Sequence, residues 1–179
     1  MKKEFKELIK MAYELAVMVD VMIDNKRLST KSDQVPEKMI QEMSRMTMIE
    51  DMMKTYGGYT DRNIQDLNFT TMSIGLSEEF SLSAALQKSQ HLLGDIYEYA
   101  NDFEEGEVVW LDDFQTMMEV EITAKEWDEE TGEISYAFKL GEGISDGHPS
   151  TILKHKNSMD IEMLKFLVRD IELDIIRAF

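Results

Sequence analysis

The chain has no cysteine, which removes any disulfide framework and any thiolate metal site. Two prolines and nine glycines among 179 residues leave little for a flexible linker or a low-complexity tail. No stretch approaches the ~20 consecutive apolar residues of a membrane-spanning helix. The N-terminal MKKEFKELIK sets acids beside lysines and lacks a long apolar run, so it does not read as a signal peptide. The expected location is the cytoplasm, that of the host cell if the chain is phage-encoded. Apolar residues make up 43% and charged residues 31%, which places the chain among globular proteins.

Positive charge is what one region lacks most. Residues 1–94 hold 14 acids and 12 bases, a net of −2, and residues 147–179 hold five of each. Between Asp95 and Asp146 there are 17 acids and two bases, Lys125 and Lys139, so that −15 of the total −17 lies in 52 residues. Ordinary surfaces mix both signs because crowded like charges oppose folding. Such a tract repels nucleic acid and anionic membrane and attracts a basic partner.

Apolar residues at three- and four-residue steps predict helices near 3–24, 36–55, 82–103 and 159–178. Pro36 suits the first turn of the second, and Gly57-Gly58 its end. Ser81 or Ser83 caps the third, and Asn157 or Ser158 the last. In 69–76, Met72, Ile74 and Leu76 alternate with Ser73 and Gly75, which reads as a strand, although Thr60-Asp61-Arg62 could cap a short helical turn. Strict alternation in 118–125 and 134–140 around Asp128–Gly132 predicts a hairpin with Gly132 at a positive φ, preceded by a short strand at 108–111. Residues 29–34 and 141–150 read as loops. The expectation is one α+β domain over 1–179, helical over about 1–60 and mixed over 61–179. Its helices would pack on one face of a small antiparallel sheet built around a hairpin near 114–141.

No pattern identifies an enzyme. Asp128-x-Glu130-x-Gly132 places glycine where a calcium loop needs a ligand. Thr123 stands where a metal-dependent nuclease strand would carry an acid before Lys125. Gly141-x-Gly143-x-x-x-Gly147 misses dinucleotide spacing and follows no βαβ unit. There is no Gly-Lys-Ser or Gly-Lys-Thr phosphate loop. His91 reads as structural; His148 and His155 flank Pro149-Ser150, and Asp146, His148 and Ser150 are too crowded for a triad, so the segment reads as a polar loop ending in a turn. Asp112-Asp113 could hold Mg²⁺, but no catalytic residue, metal site or cofactor is assigned.

The expected function is therefore a non-enzymatic inhibitor that imitates nucleic acid. Asp112, Asp113, Glu119, Glu121, Asp128, Glu129, Glu130 and Glu133 would occupy the cationic groove of a nuclease or another nucleic-acid-binding protein. Phage counter-defence of the anti-CRISPR type and nuclease immunity are two settings for such a protein. Glu119 and Glu121 would stand ~6.7 Å apart on the outward side of a strand. A DNA strand carries one charge per ~3.4 Å, so neighbouring segments must join them on one face. Trp110 and Trp127 border the acids as buried anchors or as an exposed hot spot. Neither nucleic acid nor a membrane is an expected partner. The alternative is an adapter that forms homo-oligomers through its methionine-rich second helix, with Met48 and Met52 at the interface and the acids serving solubility.

Overall fold

A computed structural model describes residues 3–30, 36–113 and 116–179. The chain is α+β, with five α-helices and one five-stranded antiparallel sheet among the described residues. Its order is α1 (Phe5–Thr30), α2 (Pro36–Gly57), α3 (Asp61–Gly75), α4 (Leu82–Asn101), β1 (Val108–Asp113), β2 (Thr116–Asp128), β3 (Glu133–Leu140), β4 (Gly143–Pro149), a 3₁₀ turn at Ser150–Ile152, β5 (Leu153–Lys154) and α5 (Ser158–Ala178). Contacts divide it into two compact units, one of residues 1–96 and 162–179, the other of residues 97–161.

In the first unit, α1 is the central element, and Leu8, Ile9, Ala12, Tyr13, Ala16 and Val19 are fully buried. It runs past the polar run at Asp24–Arg27 that was expected to stop it, because polar residues without glycine or proline cost a helix little. Residues 31–34 of the expected loop lie outside the described residues. The strand expected at 69–76 is the end of α3. Thr60 caps that helix by a reciprocal pair of bonds with Asn63, each 3.2 Å. Its buried side is Ile64, Thr71 and Gly75, whereas Ile74 and Leu76 are exposed. A Cβ on Gly75 would come within 2.8 Å of the Met18 backbone, so glycine lets α3 approach α1. Thr71 and Gly75 interrupt the apolar stripe that Ile64 begins, which weakens the helical periodicity.

Arg45 of α2 is 2% exposed and pairs with Asp20 of α1 at 2.7 Å and with Asp170 and Asp174 of α5 at 2.9 and 3.0 Å. Gln41 donates to Asp170. The methionine stripe of α2 divides: Ile49, Met52 and Met53 are buried, while Met39, Ile40, Met43 and Met48 are exposed.

The second unit contains the sheet, ordered β4-β3-β2-β1-β5. Phe103, Val109, Leu111, Val120, Ile122, Tyr136, Phe138 and Leu153 form the core on its inner face. Gly132, at φ 70°, closes the β2–β3 hairpin as expected. Part of the loop expected at 141–150 is instead β4, paired with β3. Gly147, at φ 74°, lies in the bulge where the register of β4 against β3 shifts, so that pairing continues on both sides of it.

Candidate functional site

The acids fall on the sheet according to its register. On β1, Val109 and Leu111 face inward, so Val108, Trp110 and Asp112 face outward; on β2, Val120 and Ile122 face inward and Met117, Glu119 and Glu121 outward. Uninterrupted alternation would turn Glu126 and Asp128 inward. The structure differs because Ile122 pairs with Phe138 but Ala124 pairs with Ala137, which leaves Thr123 as an extra residue in β2. Beyond this bulge, Lys125 and Trp127 lie opposite Tyr136 and Ile134 on the inner side, and Ala124, Glu126 and Asp128 move to the outer side. The expected places of Ala124 and Lys125 are thus exchanged. One displaced residue unites Glu119, Glu121, Glu126 and Asp128 on a single face, with Glu133 of β3 opposite Asp128.

The acids are not electrically equivalent. Asp112 pairs with Lys154 at 2.8 Å, Glu121 with Lys139 at 3.4 Å, and Glu119 with Lys156. The Lys156 ammonium also lies 3.5 Å from the centroid of the Trp110 ring. Asp113 ends β1 opposite Thr116, and its side chain lies outside the described residues. Asp102 and Glu104 share Lys125, and Glu107 pairs with His155. Although burial opposes the charge on Lys125, its bond with Asp102 raises its pKa overall.

At the hairpin end the balance fails. Among the described residues, Glu126, Asp128, Glu129, Glu130 and Glu133 have no ion pair, and all five are exposed. Asp128 and Glu133 are directly opposed, an arrangement that like charges disfavour. The Asp128 carboxylate accepts from the backbone N–H of Glu130 at 2.9 Å and of Thr131 at 3.3 Å, and these bonds hold its pKa below the ordinary value. Asp128 therefore also builds the turn. Trp127 is 63% exposed at the same end of β2, on the opposite side of the sheet from Glu126 and Asp128.

Met48, at 44% exposure, is accessible on α2, whereas Met52, at 7%, belongs to the core of the first unit. His91 is exposed on α4. His148 stacks on Phe138 and shares a hydrogen bond with Ser145 at 2.6 Å rather than with Ser150. His155 is buried between Tyr99 and Phe103, with its Nε2 2.8 Å from the Tyr99 carbonyl oxygen. This setting was invisible in sequence, because its partners lie 48 to 56 residues away. The Arg45 cluster was equally hidden, since an isolated arginine on a helix normally reads as a surface residue.

Among the described residues, no group of three or more histidine or acidic side chains is placed to hold a metal ion, and no helix is long and apolar enough to cross a membrane. Comparison with protein-family models, curated proteins and solved structures finds no significant match to this chain.

Proposed function

We propose that the chain is a non-enzymatic interaction protein whose β2–β3 hairpin end occupies the cationic nucleic-acid-binding groove of another protein, a nuclease in the first instance. The observation that carries this reading is the group of five exposed carboxylates, Glu126, Asp128, Glu129, Glu130 and Glu133, without an ion pair among the described residues. Cross-strand Cβ atoms stand about 4.5–5.5 Å apart, which approaches the charge density of a nucleic-acid strand. The contribution of Asp112, Glu119 and Glu121 is smaller, because lysines already balance them. Inhibition of RNA-guided nucleases or of nuclease toxins suits such a surface.

The test is displacement of labelled DNA from a panel of RNA-guided and toxin nucleases. Displacement that weakens with salt, and is lost on Glu129→Lys with Glu130→Lys and Glu133→Lys, supports the proposal. Undiminished displacement by that triple variant refutes it, as does its absence across the panel.

One observation favours a second reading. Met39, Ile40 and Met43 are 59, 62 and 67% exposed on α2, an apolar face suited to a homo-oligomer. Sedimentation decides this: a stable oligomer dissociated by Met43→Glu supports it, and a monomeric wild type removes it.

A further inference from the structure

We propose that the hollow between β2, β3 and β4 on the outer sheet face receives one arginine side chain of a basic protein partner. This rests on the reading of the chain as a protein that docks on a cationic surface, and it names the group recognised. The hollow arises from two bulges. Thr123 is the extra residue in β2, and β4 sets Asp146 and Gly147 where β3 has only Ala137. Small residues consequently line up across three strands, with Ala124 opposite Ala137 and Gly147 beyond it. The open hollow at this row has a volume of about 440 Å³. That lies within the ~300–1,000 Å³ range of ligand clefts.

The chemistry of the lining selects the guest. Glu126 from β2 and Asp146 from the β4 bulge both border the hollow. Neither has an ion pair among the described residues. Ile144 is 68% exposed and forms an apolar part of the lining. An apolar stem ending in a planar cation matches this combination. Arginine carries five N–H donors in a fixed fork that suits two carboxylates, and it sheds water more readily than an ammonium group. Thr123 also lines the hollow, and its hydroxyl oxygen is buried without a hydrogen-bond partner among the described residues. The strand distortion that shapes the hollow is therefore maintained at the expense of a satisfied polar group.

The experiment is calorimetric titration of the full chain with short arginine and lysine homopeptides, together with methyl shifts of Ala124 and Ala137 in NMR spectra. The expected result is tighter binding of the arginine peptide and shifts at both methyl groups. Glu126→Gln with Asp146→Asn should weaken binding about tenfold, the worth of one hydrogen bond to a charged group. Ala124→Leu, which fills the hollow without changing charge, should weaken it similarly. Glu129→Gln with Glu130→Gln should reduce affinity for both peptides without removing the preference for arginine. Unfolding midpoints establish that each variant is folded; if Ala124→Leu is not, the two exposed acid variants decide alone. Wild-type binding that is indifferent to the groove variants, or equal for the two peptides, overturns the arginine pocket and leaves the docking proposal standing. No wild-type binding to either peptide overturns both.

Discussion

Lys156 holds its ammonium 3.5 Å from the ring centroid of Trp110 and pairs with Glu119, the residue opposite Trp110 across β1 and β2. A base from outside the acidic tract thus cancels one of its charges. Being half in solvent, the pair adds little stability: Lys156→Gln should cost about 1 kcal/mol or less in urea unfolding. The larger effect should be on binding. Glu119→Gln should hardly change the affinity for a cationic peptide in the wild type, yet reduce it in a Lys156→Gln background.

Arg45 should be among the most sensitive positions in the first unit. Arg45→Met leaves Asp20, Asp170 and Asp174 around a site that has lost its cation, and breaking a buried pair in this way costs about 3–5 kcal/mol. Chemical unfolding measures the loss.

Asp20 makes the same cluster sensitive to pH. Burial pushes its pKa up to about 7 against the pull of Arg45, and the charges of Glu42 and Asp24 add to the rise. In the unfolded chain Asp20 ionises near 3.8, so between that value and about 7 the folded state holds the additional proton. The stabilisation is complete below the lower value and is lost as pH rises through the window. Urea midpoints at pH 5 and pH 8 should differ more in the wild type than in Asp20→Asn.

Two glycines in helices should respond in opposite directions to alanine. Gly75→Ala presses a Cβ against the Met18 backbone at 2.8 Å and should destabilise by about 1–3 kcal/mol. Gly94→Ala meets nothing within 4 Å in α4 and should stabilise by about 0.5–1 kcal/mol. Thermal unfolding of the two variants checks both signs.

Asp128 is tested by separating its charge from its turn-building role. Asp128→Asn keeps an oxygen acceptor for the N–H groups of Glu130 and Thr131 and should preserve hydrogen-exchange protection at Gly132, whose N–H bonds to the Asp128 carbonyl at 2.8 Å. Asp128→Ala should lose that protection. Because the folded carboxyl has a lowered pKa, its contribution is present above the ordinary aspartate range and fades as pH falls through the folded value.

Local patterns were enough to locate most elements. The stripes of α1, α4 and α5, the Ser81 cap, whose hydroxyl accepts from Ala84 N–H at 3.1 Å, and the alternation of β3 all follow from nearest neighbours along the chain. α3 reads as a strand in sequence because two of its three buried residues, Thr71 and Gly75, serve close packing rather than hydrophobicity. β4 was missed because its pairing with β3 depends on a glycine bulge and not on β-forming residues.

By itself the sequence determined how much negative charge the chain carries and between which residues, since covalent order alone fixes that. Tertiary structure decided which of those charges remain. Strand β5 and the residues following it bring Lys154 and Lys156 to Asp112 and Glu119, across 42 and 37 positions of sequence. The extra residue at Thr123 turns Glu126 and Asp128 to the face of Glu119 and Glu121. Both effects depend on contacts between strands, and Coulomb interactions follow distance in space rather than position along the chain. The acidic tract thereby resolves into a balanced sheet centre and an unbalanced hairpin end.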